Sequence, residues 1–311
     1  MLFSEAINKW VSWKTLKVAN NTIYGYQGHL LHFCIFLRDA EIENITLGQI
    51  TEYLSLCQKM GFRGSSLEKY GLAIKEFFDF YYKQNYQVIN PELVPIPKIF
   101  DRVMPRVATE EDFRKLLDVI PDESRTYYHL RNKAIIWLLH DTGARVSEIA
   151  NLKIQDIDLI NQWAIIKTEK RRDDMPFRKI FWTKICADAL NNWIKKREEL
   201  IMKTEILDPT DKDDLFLSVN GGVCSDGKTG RKIDIEAIGE MLRKYSRLAG
   251  LKYNLNPHSF RHRLGHELVK QGAQANIVSQ ILGHRSLDSS RIYTILSGIE
   301  LDKIYHKLIG K

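Results

Sequence analysis

Cysteine is scarce and scattered in this chain. The 311 residues hold four, Cys34, Cys57, Cys186 and Cys224, and none forms a Cys-x-x-Cys pair. That spacing excludes a zinc ribbon and a thioredoxin-like motif, and reduced, mostly buried thiols are expected. Long apolar runs are missing too. The longest, AIIWLL at 134–139, is far short of the ~20 residues that span a bilayer as a helix. The start, MLFSEAINKW, lacks the basic-then-apolar profile of a secretory leader. There is no phosphate-cradling glycine loop and no evident cluster of carboxylates or cysteines for a metal. We therefore expect no membrane span, no cofactor, no metal and a cytoplasmic location.

What is present is positive charge in one part of the chain. Lys and Arg number 46 against 39 Asp and Glu, an excess of +7 that favours polyanionic partners such as nucleic acid. In residues 1–97 nine basic residues balance nine acidic ones, so the whole excess lies in 98–311. Proline is sparse, yet four of the eight, Pro91, Pro95, Pro97 and Pro105, fall within 90–108. Proline fixes φ and removes a donor, so this stretch reads as an extended, semi-rigid strap. The expected organisation is a helical domain over 1–90, a Pro-rich linker over 91–107 and a second domain over 108–311.

The expected fold is mainly α with a small β-sheet, an α+β arrangement. Over 1–87 aromatic and aliphatic residues recur at spacings of three and four, as in Tyr26, Leu30, Phe33 and Leu37, predicting four helices. Thr109 to Asp112 can cap and open a helix over FRKLLDVI. Residues 131–141 read as an amphipathic helix ended by Gly143. WAIIKT (163–168) and FRKIFW (177–182) then read as a β-hairpin around the turn EKRRDDMP, and DLFLS (214–218) as another short strand. Helices are predicted near 234–249, 257–271, 274–282, 287–296 and 299–308.

The chemistry-bearing residues follow in a definite order. TGARVSEIANL carries Arg145 and Glu148, three apart on one helical face. The basic hairpin carries Lys167, Lys170, Arg171, Arg172, Arg178 and Lys179. In NPHSFRH, Asn256 and Pro257 suit a helix start. They set His258 and Arg261 near a helix amino terminus, which favours an anion. LGHRSLDSSRIYT then places His284 nine residues before Tyr293. Each group alone has a bland explanation, a salt bridge or a packing aromatic. Together they are the groups needed to break a phosphodiester with a protein nucleophile.

This ordered set resembles the tyrosine recombinases of the phage-integrase family, in a size close to the compact Xer-like members. The resemblance covers nearly the whole chain and is strongest in 130–296. It implies a helical core-DNA-binding domain followed by a catalytic domain with a tail helix. It implies that Arg145 and Arg261 bind the scissile phosphate with His284, that His258 is the base positioned with help from Glu148, and that Tyr293 is the nucleophile. Lys170, or less readily Lys167, would protonate the departing 5′-oxygen. The product would be a 3′-phosphotyrosyl link that retains the bond energy, so neither ATP nor a metal is required. The implied partner is duplex DNA with specific recombination sites, bound by a homo-tetramer that exchanges its carboxyl-terminal helix, in a nucleoid-associated location. After the second box many relatives carry Thr-Phe-Ala-Thr-His, whereas this chain has Arg263-Leu264-Gly265-His266-Glu267. A catalytically idle DNA-binding module of the same fold and a topoisomerase that relaxes DNA by the same chemistry are the alternatives.

Overall fold

The computed structural model describes residues 1–18, 20–97, 106–121, 126–168, 177–203, 209–219 and 230–283, with nothing described for the side chains of 20, 21, 209 and 210. The chain divides into two compact units, Met1–Met104 and Pro105–Lys311.

The first unit is built from α1 (Phe3–Thr15), α2 (Asn20–Phe36), α3 (Leu47–Lys59) and α4 (Gly64–Tyr82). Phe3, Ala6, Ile7 and Trp10 repeat at helical spacing and turn one face of α1 inward. They meet Phe33, Tyr53, Phe77 and Phe78 in an aromatic core, where each large side chain contributes ~1.5–3 kcal/mol by leaving water. Thr46 starts α3 with a capping box to Gln49. The proline stretch is seated on this unit. Asn90 caps the short 3-10 turn Pro91–Leu93, and Pro91 and Val94 are buried. A Cβ on Gly71 would stand 2.9 Å from the Pro95 carbonyl oxygen, so α4 needs glycine at this crossing.

In the second unit α6 (Tyr127–Thr142) is the central helix, packed on α8 (Lys184–Lys203) and α10 (Pro257–Lys270). Its sequence reads as amphipathic, but burial runs all round it. Arg131, Asn132, Ala134, Ile135, Ile136, Leu138, Leu139 and His140 are all inside. The polar members are satisfied internally: Arg131 Nη1 donates to the Leu217 carbonyl at 2.9 Å, and Asn132 Nδ2 to Tyr245 Oη at 3.0 Å. Thr109 caps α5 (Glu110–Asp118) through a capping box with Asp112.

The hairpin forms as β2 (Trp163–Lys167) and β3 (Phe177–Phe181), antiparallel with Lys167 opposite Phe177. A third strand, β1 (Ile157–Asp158), extends the sheet in the order β1-β2-β3. Two expectations need correction. DLFLS makes only isolated bridges, Lys153 with Asp214 and Leu217 with Lys232, and joins no sheet. Leu215, Phe216 and Leu217 are completely enclosed, so the segment threads the core instead of lying at a sheet edge. The twenty-residue α8 stands in a region where no helix was predicted. Its inward row, Cys186, Leu190, Trp193, Arg197 and Leu200, contains an arginine that interrupts the apolar pattern.

The second unit continues with α7 (Val146–Ala150), α9 (Ile235–Leu248) and α11 (Ala275–Leu282). The helices predicted near 287–296 and 299–308 lie outside the described residues. Cys34, Cys57 and Cys186 are free and buried. Among the described residues no helix is long and apolar enough to cross a membrane.

Candidate active site

The site begins where α6 stops. Gly143 takes φ +54, its N–H donating to the Leu139 carbonyl at 3.1 Å, a left-handed cap that suits glycine. A Cβ here would also stand 3.1 Å from side-chain atoms of both Leu264 and Leu282. The chain then turns into α7, with Arg145 at its N-cap. The Glu148 carboxylate reaches back to the Arg145 backbone N–H at 2.8 Å and to its Nη1 at 2.9 Å. The pair three residues apart is therefore a helix cap as well as an ion pair.

Glu148 is shared. Its side chain is 1% exposed, and its second oxygen accepts from Nη2 of Arg178 at 2.8 Å. Arg178 is thus no solvated hairpin charge. In β3 exposure alternates, and Arg178 takes an inward position between exposed Phe177 and Lys179. A cation at the buried phase of a strand was the available signal for it.

The carbonyl end of α11 completes the cluster. Arg178 Nη1 donates to the Ile281 carbonyl at 2.6 Å, Arg261 Nη2 to that of Leu282 at 2.5 Å, and Arg145 Nη2 to that of Gly283 at 2.8 Å. Three consecutive carbonyls, two of them orphaned by the helix end, are each met by a different guanidinium. Arg261 also donates from Nη1 to the Gly143 carbonyl at 2.9 Å. Two of these three arginines pair with one carboxylate, Glu148, so among the described residues the cluster keeps a net positive charge suited to an oxyanion.

Helix α10 supplies the rest. Asn256 caps it by accepting from the Ser259 N–H, and Pro257 occupies its first turn. His258 is exposed near that amino terminus, while Arg261 is buried one turn on. His262 was not among the predicted site residues. Burial, and then electrostatic repulsion involving His258, Arg261 and His266, push its pKa down to about 4. The departures after the second box are used structurally. Arg263 Nη2 donates to the His140 carbonyl at 2.7 Å, and Leu264 packs against Gly143.

Arg145, Glu148 and Arg261 thus converge, with His258 on the same helix as Arg261. Lys167 ends β2 at an exposed position and, with Glu148 and Phe177, lines a cavity of about 250 Å³. Lys170, His284 and Tyr293 lie outside the described residues. Among the described residues no group of three or more His, Cys, Asp or Glu is placed to hold a metal ion.

Comparison with known proteins gives a consistent picture. Residues 106–298 match the phage integrase family, and residues 13–85 match the phage integrase N-terminal SAM-like domain. The tyrosine recombinase XerC of Halalkalibacterium halodurans is 27% identical over 308 residues, 96% of each chain. The tyrosine recombinase XerA of Pyrococcus furiosus is 27% identical over 318 residues, 99% of this chain and 98% of the relative. Among solved structures, the XerH site-specific recombinase bound to difH substrate in a pre-cleavage complex matches with TM-score 0.68 and 25% identity. That match covers 92% of this chain and 78% of XerH.

Proposed function

The chain belongs to the phage integrase family, and from that premise we propose how its residues carry out the reaction. It is a site-specific recombinase that cuts and rejoins duplex DNA through a 3′-phosphotyrosyl intermediate. The observation that carries this reading is the buried cluster in which Arg145, Arg178 and Arg261 gather around Glu148 and the end of α11.

Cleavage places negative charge on the two non-bridging oxygens of a phosphate. Arg145 and Arg261 bind those oxygens, because guanidinium stays charged and offers paired donors. His284 adds a hydrogen bond to the same phosphate. The Tyr293 hydroxyl, with an ordinary pKa near ~10, gives its proton to His258 as its oxygen attacks phosphorus. The bond to the 5′-oxygen breaks, and Lys170 protonates that oxygen. A 5′-hydroxyl attacking the phosphotyrosine reverses every step.

The partner is duplex DNA, and the positive excess over 98–311 supplies phosphate contacts. Loss of one such contact lowers the salt slope of binding by ~0.9. The working form is a homo-tetramer on two sites, with the tail of each copy given to a neighbour. The functional division is a DNA-binding domain over 1–90, a linker over 91–107 and a catalytic domain over 108–311.

The test is a nicked suicide duplex from which the 5′-leaving strand escapes. Wild type is expected to form an SDS-resistant adduct. Tyr293→Phe is expected to form none while still shifting the duplex in a gel. An adduct with the Phe variant would remove Tyr293 from its role, and none with wild type would favour an idle DNA-binding module.

A further inference from the structure

The turn that ends α11 is held by three arginines, and the proposed chemistry uses only two of them. Arg145 and Arg261 are the phosphate ligands of the reading above. Arg178 is left over. It comes from β3, is 8% exposed, and its two terminal nitrogens span two separate targets. Nη2 donates to Glu148 Oε2 at 2.8 Å and Nη1 to the Ile281 carbonyl at 2.6 Å. Glu148 in turn gives its other oxygen to Arg145 Nη1 at 2.9 Å. Arg178 and Arg145 therefore share one carboxylate.

A second observation places Arg178 against the backbone leading to residue 284. Gly283 has φ +66, and a Cβ built on it would stand 2.6 Å from Arg178 Nε and 2.8 Å from Cδ. Contacts that short would force Arg178 to shift, so the turn lies close against the arginine stem and head. A hydrogen bond to Ile281 and packing on Gly283 fix the turn on both sides. The chain continues from it into His284.

We propose that Arg178 is a positioning residue for DNA cleavage. It holds Glu148 so that this carboxylate aims Arg145 at the phosphate. It also holds the turn that ends α11, through the Ile281 carbonyl and Gly283. It does not itself touch DNA. The inference rests on the phosphodiester-cleavage reading.

Geometry explains the choice of residue. A planar fork meets the Glu148 carboxylate and the Ile281 carbonyl with one terminal nitrogen each, whereas a single ammonium would have to be shared between them. A buried ion pair need not add net stability, since replacing the whole pair by apolar residues is often neutral, although removing one partner is costly. The arginine is explained by what it orients.

The experiment uses the full chain and the nicked suicide duplex, with single-turnover adduct formation as the readout. Gel shift measures DNA affinity and thermal melting measures folding. Arg178→Met is expected to bind DNA within about 3-fold of wild type and to cleave on the order of 10–100-fold more slowly, the scale seen when the outer partners of site ligands are removed. Arg178→Lys is expected to cleave slowly as well, and it carries the test should the Met variant melt below the assay temperature. Glu148→Gln combined with either change separates positioning from bulk stability, since residues acting through one another are non-additive. The double variant should lose clearly less than the product of the single losses. Wild-type cleavage by folded, DNA-bound Arg178 variants overturns the proposal, and so does a fully multiplicative double variant. Absence of any adduct from wild type overturns the cleavage reading itself, and the positioning role with it.

Discussion

Arg261 donates to the carbonyl oxygen of Gly143 at 2.9 Å, across 118 residues of sequence. The second arginine box thereby braces the turn from which the first one starts, and Arg145 stands two residues beyond that turn. Charge at position 261 is then not enough. Arg261→Lys keeps the charge but offers one nitrogen to two carbonyls, those of Gly143 and Leu282. We expect adduct formation to fall by about 10²–10³-fold, the cost of a misplaced oxyanion donor, with a lowered melting temperature. Near-wild-type cleavage by the Lys variant would show that charge alone suffices.

Glu148 is nearly fully buried between two guanidiniums. Truncating it strands both cations, so Glu148→Ala should cost about 3–5 kcal/mol, as for other broken buried pairs. Glu148→Gln keeps the shape and some hydrogen bonds and should cost less. Urea unfolding of both variants beside wild type gives the two values directly.

Two glycines with similar backbone angles should respond differently to alanine. Gly272 has φ +89 with open space around its missing Cβ, whereas Gly283, at φ +66, faces Arg178 at 2.6 Å. The left-handed backbone alone costs roughly 1–2 kcal/mol. Gly272→Ala should show that amount and keep cleavage. Gly283→Ala should lose more stability and cleave poorly, because Arg178 must move. Melting curves and adduct assays on the pair isolate the steric part.

His262 makes folding sensitive to acid. Its folded pKa is lowered from 6.5 to about 4, so between those values the unfolded chain binds the extra proton. Stability from this group is complete above about pH 6.5 and declines as pH falls towards 4. His262→Asn should flatten that part of the profile of melting temperature against pH. An unchanged slope would locate the titration elsewhere.

Much of the architecture was legible because local rules agreed with the final structure. Thr109 and Asn256 cap their helices, Gly143 ends α6, and the hairpin alternates as its sequence does. Of the candidate site residues, Arg145, Glu148 and Arg261 are brought together. Lys170, His284 and Tyr293 fall outside the described residues. What stayed hidden depends on burial that sequence periodicity does not weigh. Arg197 sits inside α8 because its Nε reaches the Asp214 carbonyl at 2.9 Å, so a charged residue broke the apolar stripe that would have announced the helix. Arg178 stayed among the hairpin charges because its partners, Glu148 and Ile281, are 30 and 103 residues away. The two-residue β1 is too short to carry an alternation.

The meeting of Gly143, Arg261 and Leu282 at one point also sets an order in time. On the ribosome the segment up to Tyr82, the end of α4, emerges long before Gly283. At about 5–20 residues per second the interval is on the order of tens of seconds. The amino-terminal helices can fold throughout that interval, while the arginine cluster still lacks the carbonyls that order it. The cluster can be ordered only once the last of those carbonyls has emerged.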